Sequence, residues 1–485
     1  MISYLVPITL WTIKILFIIF VVFREKKNAA TLWTWIFVIT VFNFFGFILY
    51  MFLGKKLSKD RIFSIKAQQR LLAMEKYEEQ QAAIVGETYP NLFFKGDREV
   101  EQLITQLNHN RGALYTKHNE ALLYTNGQEM FDKMFEDIDN AKHHIHLEYY
   151  IFKTDKIGLA LLDHLHAALK RGVKVRLLID SLGARDANKK EMKKFVEAGG
   201  ELTWFFKLFL PMINPRLIYR LHRKIVVIDG EIGYTGGFNV GDEYLGYSER
   251  YKQWRDSALR VRGEIILSLQ NRFLKDWNSQ ADHAIKVNDS NVHELFNPQE
   301  DIGQIELQMV NSDPVIEKQN IKFAYLKMIN MAKKEILIQT PYLIPDQTIC
   351  DALVLAAQSG VDVTIQIPSI RDHIIVYWAT YSYAAELMDA GVKIEIYDRG
   401  FMHSKAIVID REISTIGSCN MDYRSFMLDF EGNLIIYNEE LSREVARSIL
   451  DESPNCHVLT PEEYAARSLI VKFKEIIARL VAPML

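Results

Sequence analysis

Two short constellations hold the side chains best suited to chemistry. The first reads His222-Arg223-Lys224, four apolar residues, Asp229, then Gly236-Gly237-Phe238-Asn239; the second reads His403-Ser404-Lys405, four residues, Asp410, then Gly417-Ser418-Cys419-Asn420. Every matched pair is offset by 181 (403 − 222, 405 − 224, 410 − 229, 420 − 239), so the copies align without a gap. An imidazole with a pKa near about 6.5 is a nucleophile when neutral and an acid when charged. Two of them can therefore hold both roles of a displacement at once.

Strand period places these groups. Side chains at i and i+2 share a face, so His222 and Lys224 project together while Ile225 to Ile228 bury the strand behind them. Asp229-Gly230 is a hairpin signal, and Asp229 lies an odd number of steps from His222. His222, Lys224, Asp229, His403, Lys405 and Asp410 form the candidate catalytic set, with the two aspartates expected to hold the hairpins in place. Each histidine also needs a carboxylate to orient its ring. Aligning the strands that follow the motifs assigns Asp256 to His222 and Glu431 to His403.

The elements that must position them are duplicated too. Ala141 to Leu147, a helix and Gly172-Val173-Lys174-Val175 are echoed by Ala332 to Ile338, a helix and Gly360-Val361-Asp362-Val363. Apolar β-branched runs alternating with helices predict an α/β fold of two similar halves, each with a mostly parallel, doubly covered sheet. The expected units are residues 1–54, an apolar hairpin; 55–109, a helical linker; 110–300, the first half; and 301–485, the second half with a C-terminal amphipathic helix. His143, His144 and His146 are the other tempting cluster, but along one strand they do not converge as metal ligands do, so no metal is expected.

The paired motifs resemble those of the phospholipase D superfamily, whose two HxKxxxxD motifs meet between two similar halves. The resemblance covers roughly residues 110–480. It implies a duplicated phospholipase D-like α/β unit, attack of one histidine on a phosphodiester to give a phosphohistidine, protonation of the leaving alcohol by the other, and no cofactor. Lys224, Lys405, Asn239 and Asn420, with Gly237 and Ser418, would then bind the phosphoryl oxygens in place of a metal. Within the superfamily the chain looks like the bacterial cardiolipin synthases, through Gly236 to Tyr244, Trp254-Arg255-Asp256, Asp422 to Phe426 and Ala478 to Leu485. Leu221 and Asp429 depart from that pattern, a polar residue and Asn being expected there. The resemblance implies transfer of a phosphatidyl group between two phosphatidylglycerols, with His222 as nucleophile and His403 as acid. Water or serine as acceptor, or an inactive membrane scaffold, are the competing readings.

The front of the chain supplies the membrane. Ile2 to Phe23 carries one charge, Lys14, and Leu32 to Leu53 carries none, so each is long enough to cross a bilayer. Lys55, Lys56, Lys59, Arg61, Lys66 and Arg70 follow the second span, which predicts a multi-pass protein of the bacterial inner membrane with its body in the cytoplasm. The remaining sequence is balanced, with 58 basic against 61 acidic side chains in the whole chain, which disfavours a nucleic-acid partner. Cys350, Cys419 and Cys456 form no CxxC pair or disulfide framework. Oligomeric state has no signature. An apolar insert from Phe205 to Ile213, with Lys207, Arg216 and Arg220, either dips into the bilayer or packs on the core. The C-terminal segment, with Leu469, Ile470, Phe473, Ile476, Ile477 and Leu480 at helical spacing, either lies on the membrane or packs on the body.

Overall fold

The computed structural model describes residues 2–24, 29–53, 63, 67–70, 98–108, 113–207, 218–288, 290–299, 302–314 and 319–482. The first half is a seven-stranded sheet in the order Asn119–Tyr124, Ala258–Gly263, Ile232–Gly236, Ile225–Ile228, His144–Tyr149, Lys174–Asp180, Glu201–Phe205. The second repeats it around Asp429–Ile436, Ile413–Gly417, Ala406–Ile409, Glu335–Gln339, Asp362–Pro368 and Lys393–Tyr397. In each, the last three strands are parallel, as crossover helices require. The other pairs along these strand orders are antiparallel, so the sheets are mixed rather than mostly parallel. The reason is local: each His-x-Lys strand returns through a tight hairpin, and a hairpin can only pair antiparallel.

The halves share a core. Ile225, Val227, Leu259 and Val261 of the first pack in one cluster with Leu337, Ala406, Val408, Ile416 and Leu434 of the second, all essentially solvent-free. The strands bearing the two motifs thus lie back to back across an apolar seam. The helix Arg98–Asn108 packs in the second half's core, and Tyr115–Thr116 pairs with Leu307–Ser312 of that half before the chain crosses to the first. Phe63 and Ala67 of the linker are buried with Phe206, Phe273 and Phe430.

At the front, the helices Ile2–Arg24 and Ala29–Leu53 lie against each other, with Phe17 stacked on Phe47 at 3.8 Å; the second is kinked at Asn43 (φ 49°), which brings its own Trp35 edge-on to its Tyr50 at 5.3 Å. The Lys14 ammonium donates to the Thr40 carbonyl across the pair (2.8 Å), which accommodates the charge among apolar neighbours. Among the described residues one stretch, Leu32–Tyr50, is long and apolar enough to cross a membrane, while the apolar part of its neighbour, Trp11–Phe23, is shorter.

The hairpin aspartates organise both halves in the same way. Asp229 and Gly230 turn the first hairpin in the left-handed region (φ 56° and 66°), and Asp410 and Arg411 turn the second (φ 54° and 58°). The Asp229 carboxylate accepts the N–H groups of Lys142, His143 and His144 at 2.7 to 2.9 Å. Asp410 accepts those of Lys333, Lys334 and Glu335 at 2.7 to 2.8 Å. Each carboxylate caps the start of the neighbouring strand with three charge-assisted bonds, far from the histidine face. Because one hydrogen bond to a charged group contributes about 1.5 to 3 kcal/mol, Asp229→Ala should lower stability by about 3 kcal/mol or more. A thermal melt should show a clear fall in Tm, and an unchanged Tm would remove the holding role.

Candidate active site

The His-x-Lys loops of the two halves meet, and they meet crossed. The strand carrying Glu431 runs parallel to Arg220–Leu221 of the first half, and the His222 N–H donates to the Phe430 carbonyl (3.0 Å). Reciprocally, Gln253–Arg255 runs parallel to Gly400–Met402, and the His403 N–H donates to the Arg255 carbonyl (2.7 Å). His222 Nδ1 therefore lies 2.8 Å from Glu431 Oε1, and His403 Nδ1 lies 2.5 Å from Asp256 Oδ2. The expected partners are exchanged: Asp256 belongs to His403, and Glu431 to His222. Sequence alignment of the halves indexes positions within a half, whereas the strand pairing that delivers each carboxylate runs between halves.

With Nδ1 engaged, the Nε2 atom is the ring nitrogen left to each histidine for chemistry. Lys224 donates to the His222 carbonyl (2.5 Å), and Lys405 contacts both the His403 carbonyl and its Nδ1 (2.9 Å to the latter). All four side chains are buried. Aromatic rings wall the site: Tyr150 lies 5.0 Å from the His222 ring and Trp254 4.9 Å from the His403 ring, with Tyr244 and Phe401 beyond. Sequence spacing does not bring Trp254 to His403, because nothing in it says that the strand of Trp254 crosses to the other half.

Gly237 and Ser418 occupy equivalent positions and serve the carboxylates. A Cβ on Gly237 would stand 1.9 Å from Asp256 Oδ1, so only glycine lets that carboxylate approach. The Ser418 hydroxyl instead donates to Glu431 Oε2. Asn239 is already engaged, donating to the Tyr244 hydroxyl (3.2 Å) and accepting the Ile151 N–H (3.1 Å). Asn420 is buried with its side-chain oxygen unpartnered.

Burial sets the charges. It drives His222 well below an ordinary imidazole, helped by Lys224 and Lys405, and takes His403 to about 4 despite the opposing pull of Asp256. Burial also brings Lys224 to about 7 and Lys405 to about 8. The carboxylates diverge. Burial alone would raise Asp256, but Lys405 and His403 bring it below its usual range, whereas burial pushes Glu431 up to about 7.

Arg223, between His222 and Lys224 in sequence, points away from them and fastens the seam. It donates to the Glu431 carbonyl (3.0 Å), to Asp276 (2.8 Å), to the Ser312 carbonyl (3.1 Å) and to Asp313. Of the unusual residues, Leu221 is core, and Asp429 pairs with Arg424 (3.1 Å) while burial raises it to about 7. Arg220 pairs with Asp180 (3.1 Å) in the interior and Phe205 and Phe206 are buried, whereas Lys207 is exposed, 3.8 Å from Asp282; residues 208–217, including Arg216, lie outside the described residues. His146 is held between Gln270 and Arg176 (3.1 Å each). Among the described residues no three His, Cys, Asp or Glu side chains are grouped to hold a metal ion.

The family model for the cardiolipin synthase phospholipase D-like domain matches residues 134–277 and again 325–451, one match in each half, and a phospholipase D-nuclease N-terminal model matches 13–55. A cardiolipin synthase of Staphylococcus aureus is 44% identical over 475 residues, covering 98% of this chain and 95% of its own. One from Listeria monocytogenes is 42% identical over 486 residues, covering 100% of both chains. Among solved structures, phosphatidylserine synthase from Haemophilus influenzae superposes with a TM-score of 0.61 at 17% identity, covering 80% of this chain and all of its own, a likeness of fold. With both motifs in the two matched repeats and relatives aligned end to end, the chain belongs to the cardiolipin synthase family of the phospholipase D superfamily.

Proposed function

We propose that the chain makes cardiolipin by transferring the phosphatidyl group of one phosphatidylglycerol to another, releasing glycerol. The observation that carries this reading is the crossed pair of buried histidines, each oriented by the other half's carboxylate and flanked by a buried lysine. In the first step His222 Nε2 attacks phosphorus, a P–N bond forms, and the P–O bond to glycerol breaks as His403 gives the departing oxygen its proton. In the second, His403 takes the proton from a hydroxyl of the acceptor headgroup, that oxygen attacks phosphorus, and the P–N bond breaks to return neutral His222. Lys224 and Lys405 hold the phosphoryl oxygens, with Asn420 beside them. Asn239 acts through Tyr244 and the loop at Ile151, and Gly237 and Ser418 act through the carboxylates.

The division of roles follows from the carboxylates. Asp256 stays ionised and offsets part of what burial and Lys405 take from His403, which stands at about 4 in the free site, and the arriving phosphodiester anion supplies the further support that its imidazolium needs. Glu431 is pushed up to about 7, gives His222 less ionic support, and leaves it neutral and nucleophilic. Purified protein with phosphatidylglycerol alone, in EDTA, should release cardiolipin and glycerol; phosphatidic acid as the main product would move the chain to hydrolysis. In the same assay with a donor whose leaving group needs no proton, His403→Ala should still trap a phosphatidyl adduct and His222→Ala none. The reverse pattern exchanges the roles.

The lysines give a pH dependence of definite sign. A lysine lowered to about 7 is charged below that pH and neutral above it, so the free enzyme loses its phosphate-binding cations as pH rises through about 7 for Lys224 and about 8 for Lys405. Bound phosphodiester restores the protons, so kcat/KM should fall above about pH 7 by up to about tenfold per lost proton and pH unit while kcat falls less. A kcat/KM that is flat to about pH 9 would overturn this account of phosphate binding.

For placement, both N-terminal helices are read as spans, with the body on the cytoplasmic side because lysine and arginine accumulate after the second. Protease added to intact cells should then spare the body. Cleavage within it from outside would reverse the topology.

A further inference from the structure

The C-terminal helix Leu469–Val481 is amphipathic and packs on the body the wrong way round. At about 100° per residue, Leu469, Ile470, Phe473, Ile476, Ile477 and Leu480 fall on one face, opposite Glu475, Ala478 and Ala482. The body takes the second face: Glu475, Ala478 and Ala482 are 2% exposed or less, whereas the six large apolar side chains are 44% to 83% exposed. A helix that merely completes a soluble core turns its apolar stripe inward.

The outward stripe is not the result of a loosely attached end. Glu475 accepts from the Tyr464 hydroxyl (2.9 Å) and from Arg467. Arg479 pairs with Glu386 and lies 4.4 Å over the Tyr383 ring, and Lys474 lies 4.8 Å over Trp378. Ala478 and Ala482 are set among Ile344, Cys350, Ala379 and Tyr383. Cations stand on both shoulders of the stripe, Lys474 against the Trp378 ring on one and, on the other, Lys472, which donates to the Ala465 carbonyl (2.8 Å), and Arg479, which is already paired with Glu386. The helix beneath, Ile374–Asp389, itself opens with two exposed isoleucines, Ile374 and Ile375.

We propose that this helix lies along the surface of an anionic bilayer with its apolar face among the acyl chains, and that it fixes the depth and tilt of the catalytic body. Six large apolar side chains flanked by lysine and arginine match the chemistry of an interface whose headgroups are anionic and whose interior is apolar. The rigid attachment passes that orientation to the site. The cluster receiving Ala478 and Ala482 also includes Tyr423, three residues beyond Asn420, and the intervening Met421–Asp422 pairs with Leu343–Ile344. The inference rests on reading the chain as an enzyme of membrane lipids, but its test does not use turnover.

The test uses the full chain with Cys456→Ser and Phe473→Cys, carrying an environment-sensitive dye on the introduced thiol; Cys350 and Cys419 are buried. Reconstituted in phosphatidylcholine vesicles containing phosphatidylglycerol, the dye should be blue-shifted and quenched by about half or more by lipids brominated on their acyl chains. A dye placed instead through Lys193→Cys, exposed on the body helix Lys189–Glu197, should be untouched. Vesicles of phosphatidylcholine alone should quench the first dye less, because the cationic shoulders lose their partners. Absence of quenching in the Phe473→Cys protein would overturn the proposal. So would disulfide coupling of its unlabelled thiol between two copies in detergent, which would show that a second chain covers the stripe. Failure to make cardiolipin would leave this readout unaffected, so the two readings fail separately.

Discussion

Each motif histidine is oriented by a carboxylate that belongs to the other half, and the rest of the molecule is arranged around that exchange. The two contacts, at 2.8 and 2.5 Å, require the Glu431 strand to lie beside Arg220–Leu221 and the Asp256 strand to lie beside Gly400–Met402. Those short parallel pairings can form only if the two sheets abut. The apolar seam of Val227, Leu259, Val408 and Leu434 abuts them, and Arg223 bolts the seam by reaching Asp276 in one half and Ser312, Asp313 and the Glu431 carbonyl in the other. A half on its own would keep its histidine and lose the group that aims it.

The same burial that makes the exchange rigid decides the charges. Cations in a dry site are held only as firmly as neighbouring carboxylates allow, so Lys224 and Lys405 come down to about 7 and 8 while remaining available to an anion that enters. An arriving phosphodiester restores the missing negative charge. On the proposed reading, the site is therefore more favourably charged with an anion bound than without one.

Much of the site was legible in the sequence because its signals are local. Two residues of strand period place His222 beside Lys224, and an Asp at a hairpin turn suggested the anchoring that the three accepted N–H groups of Asp229 display. The exchange of carboxylates was not legible, because repeats align within halves while the hydrogen bonds run between them. The place of Gly237 was hidden for a related reason: its missing Cβ makes room for Asp256, 19 residues on (256 − 237) and brought back by the neighbouring strand. The mixed sheets follow from the hairpins, which the alternating strand and helix pattern does not weigh. At the C-terminus, helical spacing showed that one face was apolar and left open which face the body would take. Glu475, almost fully buried against Arg467 and Tyr464, settles that for the described helix.

Duplication makes two equivalent histidines, and a displacement needs two unlike ones, so small departures from symmetry carry the difference. At the first of the equivalent positions stands Gly237, whose bare Cα lets Asp256 come close; its carboxylate also receives the Ser257 N–H at 2.8 Å and feels Lys405, and it stays ionised. At the second stands Ser418, whose hydroxyl donates to Glu431 and, like Lys224 and Lys405, favours its ionised form, but burial outweighs them and raises the acid to about 7. Because the carboxylates are exchanged between halves, the stronger anion serves His403 and the weaker serves His222.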